Sequence, residues 1–92
     1  MPIEFTPRDS WETFTGTARD ISLGGMYIAT DSAAPFGTEV FVRIRVPGRR
    51  DQMVLPGVVR WRGDDGMGIQ FGMLGARETH AITQMQIRKE KG

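Results

Sequence analysis

Six consecutive residues, Asp20-Ile21-Ser22-Leu23-Gly24-Gly25, gather a carboxylate, a hydroxyl and two glycines in one place. The oxygens of both side chains can accept hydrogen bonds from nearby backbone N–H groups, and glycine lets the backbone approach something closely. As local structure the stretch is a tight β-turn of a common kind; as a site it is a place where something can come close to the backbone. Other polar groups offer less. His80 is the only histidine and stands beside Glu78 and Thr79 with no second ligand or base at a defined spacing. Asp64 and Asp65 in GDDG read as turn residues, and Ser22 has no nucleophile-elbow context. Without cysteine there is no thiolate, disulfide or Cys-based zinc site. The chain is therefore read as non-enzymatic, with no catalytic residue, no metal site and no resident cofactor.

Arginines form the second feature. Arg43 and Arg45 share one face of EVFVRIRV, Arg60 and Arg62 share a face of VVRWR, and Arg49 and Arg50 lie in the connection between them. If these strands pair, the guanidiniums and Phe41 form one outer surface suited to an acidic protein partner, because arginine and aromatic residues are enriched where interfaces carry energy. An ordinary charged exterior is the plain alternative. Single-stranded nucleic acid also binds small barrels, by basic grooves with stacking aromatics. Here Trp61 alternates with Arg60 and Arg62 and is expected to face the core, so nucleic acid is not the expected partner. Twelve Lys+Arg against eleven Asp+Glu leave a formal net charge of +1, and no bulk field draws the chain to polyanions or anionic lipid.

Elements must hold these groups in place. A chain of 92 residues makes one domain, expected over 1–92. Twelve glycines, five prolines and short alternating segments point to an all-β body. Strands are predicted at 14–22, 26–30, 39–46, 53–62 and 67–73, with an edge strand at 3–6, joined as consecutive antiparallel hairpins. Val40, Val42, Ile44 and Val46 alternate with Phe41, Arg43 and Arg45, giving a core face and a solvent face. Pro56 and Gly57 interrupt their strand and predict a bulge or bend there. From Gly75 the spacing of Leu74, Ala81, Ile82 and Met85 predicts a C-terminal helix. The barrel is expected over about 2–73 and the helix over about 75–90, with Met26, Met53, Met67, Met73 and Met85 in core or edge packing. No apolar run approaches membrane-spanning length, and the N-terminus lacks the order of a signal peptide, so a cytoplasmic chain without membrane insertion is expected.

The six-residue stretch matches the [D/N]-x-S-x-x-G signature of PilZ domains, bacterial modules best known as receptors for cyclic di-GMP. The resemblance continues through GTARDISLGGMYIAT, PFGTEVFVRIRVPG and LPGVVRWRGDDGMGIQF to the terminal helix. It implies a six-stranded antiparallel β-barrel with a C-terminal α-helix, and a role in bacterial motility, surface attachment or exopolysaccharide output. Carried over residue by residue, it implies that Asp20 accepts from guanine N–H groups, Ser22 adds a hydroxyl contact and Gly25 permits close approach. The family's receptors also carry an R-x-x-x-R stretch upstream of this turn. Here the preceding residues hold only Arg8 and Arg19, and the literal match at Arg45 to Arg49 falls downstream, across a predicted hairpin tip. Arg8 and Arg19 are thus the candidate substitutes. The expected function is a signalling adaptor acting through a protein partner, with Phe41, Arg43, Arg45, Arg60 and Arg62 as contacts and cyclic di-GMP binding lost or weak; the alternative is a genuine receptor using substitute arginines.

Overall fold

Alternation with a period of two runs through six segments, and a computed structural model describes them over residues 1–45 and 52–91, with side chains described as far as Gln84. The strands are β1 (Pro2–Pro7), β2 (Phe14–Arg19), β3 (Gly25–Ala29), β4 (Glu39–Arg45), β5 (Gln52–Gly63) and β6 (Gly66–Phe71), followed by α1 (Ala76–Lys91). They close into an antiparallel barrel in the order β1-β2-β3-β6-β5-β4. Four sequential hairpins form as expected, but β3 pairs with β6 and β1 with β4. The segment at 3–6 is therefore no edge strand: Phe5 stands between Phe14 on β2 and Val42 on β4. Closure leaves no open edge, which removes the aggregation liability of unpaired strands.

Inward positions fill one core. In β4, Val40, Val42 and Ile44 are buried while Phe41 and Arg45 are exposed, as the alternation requires. Val46, Arg49 and Arg50 lie outside the described residues. The bulge falls later than predicted. Pro56 and Gly57 stay in register with Phe41 and Val40, and the register shift lies between Val59 and Trp61. Pro56 is tolerated because the N–H and C=O of one strand residue point to the same neighbour. Its carbonyl accepts from Gly72, so the missing donor faces the chain just beyond the end of β6. Met26, Met53 and Met67 are buried, whereas Met73 is exposed and packs in neither core nor edge.

Gly75 starts the helix. Its N–H donates to Glu78 Oε1 at 2.9 Å, the half of a capping box that a glycine can make, and its carbonyl accepts the first helical bond from the Thr79 N–H at 3.0 Å. Ala81 and Ile82 then join the barrel core, with Leu74 packed against it. Met85's side chain falls outside the described residues.

Candidate functional site

β2 ends because Asp20 turns the chain. Its φ of 52° is left-handed, a conformation that aspartate tolerates better than most side chains. Ser22 then closes the turn: its N–H donates to the Gly25 carbonyl at 2.8 Å, its hydroxyl donates to the same carbonyl at 3.3 Å, and it accepts from the Gly24 N–H at 3.2 Å. The Gly24 carbonyl accepts from Phe71 at 2.9 Å, tying the turn to β6. At Gly25 the two strands come so close that a Cβ would overlap the Ile69 carbonyl. Asp20, Ser22 and Gly25 are thus brought together, with Ser22 hydrogen-bonded inside the turn.

The turn opens onto a groove of about 440 Å³ lined also by Gly24, Met26, Tyr27, Trp61 and Gln70. Trp61 corrects the sequence reading, for it is 51% exposed. The bulge is the reason. One extra residue between Val59 and Trp61 reverses the alternation, so Trp61 pairs with Gly68 and faces outward. Its indole lies where a Cβ on Gly68 would stand. Tyr27 pairs with Gly68 from the other side, and the three residues form a row across β5, β6 and β3. The sequence does carry a signal, the glycine at the second position of the otherwise bulky MGIQF.

Neither candidate substitute arginine enters this groove. Arg19 donates to Asp65 Oδ2 at 3.1 Å, and Tyr27 donates to Asp65 Oδ1 at 2.6 Å. The Tyr27 hydroxyl, aided by Arg19 against partial desolvation, holds the Asp65 carboxyl below its ordinary pKa; the same bond to Asp65 pushes Tyr27 above its own. Arg8 pairs with Glu39, which favours its charged form. It lines a separate groove of about 630 Å³ with Ser10, Thr38, Val58 and Arg60. Arg60 in turn donates to Gln70 Oε1 at 2.9 Å, so it reaches the rim of the Asp20 groove.

The arginine stripe divides in two. Phe41, Arg43 and Arg45 lie on the outside of β4, where Arg43 stands opposite Val54. Arg60 is six residues further along β5, about 20 Å at strand rise. Arg62 is at the far end of the same strand, opposite Met67. Among the described residues no cluster of three or more His, Asp or Glu could hold a metal, and no helix is long and apolar enough to cross a membrane.

Comparison with known proteins agrees with this architecture. The PilZ domain family matches residues 1–86. The fold is similar to the crystal structure of the PilZ domain of CeSA from a cellulose synthesizing bacterium, with a TM-score of 0.72 and 19% identity over 97% of this chain and 91% of that one. No curated protein matches the sequence. With the closed six-stranded barrel, its terminal helix and the Asp20 turn in place, the match over most of the length means that this chain belongs to the PilZ domain family, whose members bind cyclic di-GMP or serve as adaptors.

Proposed function

We propose that this chain is a non-enzymatic PilZ adaptor of cyclic di-GMP signalling in the cytoplasm, acting through a protein partner and holding the nucleotide weakly or not at all. Motility and surface attachment are the outputs the family suggests. One observation carries this reading: Arg19 is engaged by Asp65 and Arg8 by Glu39, while among the described residues no arginine lines the groove beside Asp20. A ligand with two phosphates needs cations, and planar guanidinium pairs with phosphate bidentately. Each missing charge-assisted pair costs about 1.5–3 kcal/mol, so two weaken binding by roughly a hundredfold or more. The turn then serves as architecture, joining β2 to β3 and anchoring β6.

A second reading has its own support. Arg60 stands at the groove's rim through Gln70, and the half-exposed Trp61 offers a stacking face beside Asp20, so a receptor with rearranged cations is the competing function. Calorimetric titration of cyclic di-GMP at near-physiological salt separates them. The adaptor reading expects no saturable heat below about 100 μM ligand. Low-micromolar saturation that disappears in Asp20→Asn, a change that keeps the left-handed backbone, overturns it in favour of the receptor.

A further inference from the structure

We propose that the outer face of β4 and β5 docks an amphipathic α-helix of another protein, one whose apolar stripe is followed by carboxylates. The inference rests on the adaptor reading above and specifies the surface and partner chemistry that it requires.

Register lays out the face. Phe41 stands opposite Pro56, Glu39 opposite Val58, Arg43 opposite Val54 and Arg45 opposite Gln52. Alternate positions share a face, so Val54, Pro56 and Val58 form a continuous apolar strip with Phe41 beside its middle. Phe41 is 41% and Val54 50% exposed, Pro56 is exposed and Val58 is half-buried. The same exterior on β1 and β2 is mostly polar, presenting Glu4, Thr6, Thr15 and Thr17 with Pro2 at the start of β1. Val54, Pro56, Val58 and Phe41 therefore form a contiguous outward apolar group, apart from the Tyr27–Trp61 row across β3, β6 and β5, and gathered apolar surface marks contact sites. The Gly72 N–H donates to the Pro56 carbonyl at 2.9 Å, which brings the chain leading to the exposed Met73 alongside the strip. Methionine's flexible thioether suits an adaptable contact.

Two observations select the occupant. First, the barrel is closed, so no strand edge among the described residues can accept an added strand. A partner must lay side chains across the face, as a helix does. Val54 to Val58 spans about 13 Å at strand rise, the length of roughly nine helical residues with apolar side chains at i, i+4 and i+8. Second, the charges are arranged unequally. Arg43 and Arg45 flank the Val54 end. Arg43 donates to Thr6 Oγ1 at 2.9 Å, and among the described residues neither arginine is in ion-pair contact with a carboxylate, although Glu4 is Arg43's register partner. At the Val58 end, Glu39 is already paired with Arg8. Carboxylates one turn beyond the partner's apolar stripe therefore meet Arg43 and Arg45, and that asymmetry fixes the direction of the helix.

Site-specific photocrosslinking in the cells that make the protein tests this. The photoreactive residue p-benzoylphenylalanine replaces Val54 in one full-length variant, and Thr15, Trp11 or Trp61 in others that sample the remaining exterior. The expected result is an adduct from position 54 alone. Its mapped partner segment has apolar residues at three- to four-residue spacing followed by Asp or Glu, and Arg43→Glu lowers the yield roughly tenfold. An adduct at position 54 with a second copy of this chain, with nucleic acid, or with a segment lacking that pattern overturns the inference. Capture of a protein at positions 11, 15 or 61 but not 54 sinks this face while leaving the adaptor reading standing. No adduct from any of the four positions removes both.

Discussion

Asp65 ties the β5–β6 turn to two other strands through two side-chain hydrogen bonds, accepting from Tyr27 on β3 at 2.6 Å and from Arg19 on β2 at 3.1 Å. Its pKa lies below the ordinary value because the bonds favour the carboxylate. The stabilisation is accordingly complete above the unfolded value of about 4 and is lost as pH falls through the lowered folded value. Tyr27 runs the other way: its raised pKa means its share is complete below about 10 and is lost as pH rises through the folded value. Comparing thermal unfolding of wild type and Asp65→Asn should show a gap at pH 7 that closes as pH drops below the carboxylate range. A gap independent of pH would assign the effect to packing. Asp20 allows a second residue-level prediction, because its φ of 52° penalises most side chains. Asp20→Asn should melt close to wild type, while Asp20→Ala should lose about 1 kcal/mol, a fall of roughly 4–8 °C for a domain of this size.

β5 shows where strand alternation can be read from residues and where it cannot. In β4 the pattern of Val40, Val42 and Ile44 against Phe41 and Arg45 translates directly into burial, because nothing interrupts the period. In β5 the visible interruption, Pro56-Gly57, leaves the register intact, and the actual bulge follows Val59, inside a run with no Gly or Pro. That one residue turns Trp61 from core to surface, which is why the groove's aromatic wall was not legible while the Asp20 turn was. Likewise, placing Arg43 and Arg60 on one surface needs only alternation, whereas separating them needs the pairing offset between strands. Gly68 is the element's test. A methyl there meets a half-exposed side chain that can swing aside, so in a Trp11→Phe background Gly68→Ala should shift indole emission to the red with little loss of stability. Gly25→Ala meets the backbone of Ile69, which cannot yield, and should cost roughly 1–3 kcal/mol in a denaturant melt. Equal losses in the two variants would mean that Trp61 is as fixed as the strand.

At the scale of the whole molecule the question is whether the helix belongs to the barrel or merely follows it. Ala81 and Ile82 are buried in the same cluster as Phe5, Ile44 and Met53, and Ile82 has no exposed surface. A barrel of six short strands has an interior wide enough only for its own side chains, and its end must be sealed by something apolar. Stability is marginal at this size, about 5–14 kcal/mol for a chain of 92 residues. Truncating a fully buried isoleucine costs about 2–5 kcal/mol, a large share of that total. Ile82→Ala should therefore lower the unfolding midpoint of the entire domain, with strand and helix signals melting together. Hydrogen exchange makes the distinction sharper. If the helix is a plug, amides of β4 and β6 lose protection in Ile82→Ala as fully as those of α1, because Ile82 shares one buried cluster with Val42, Ile44 and Ile69. Loss of protection confined to α1, with the strands unchanged, would make the helix an appendage and the barrel self-sufficient. The docking face on β4 and β5 would then be testable on the barrel alone; with a plug, any partner that displaces the helix must also destabilise the strands that present Phe41 and Arg43.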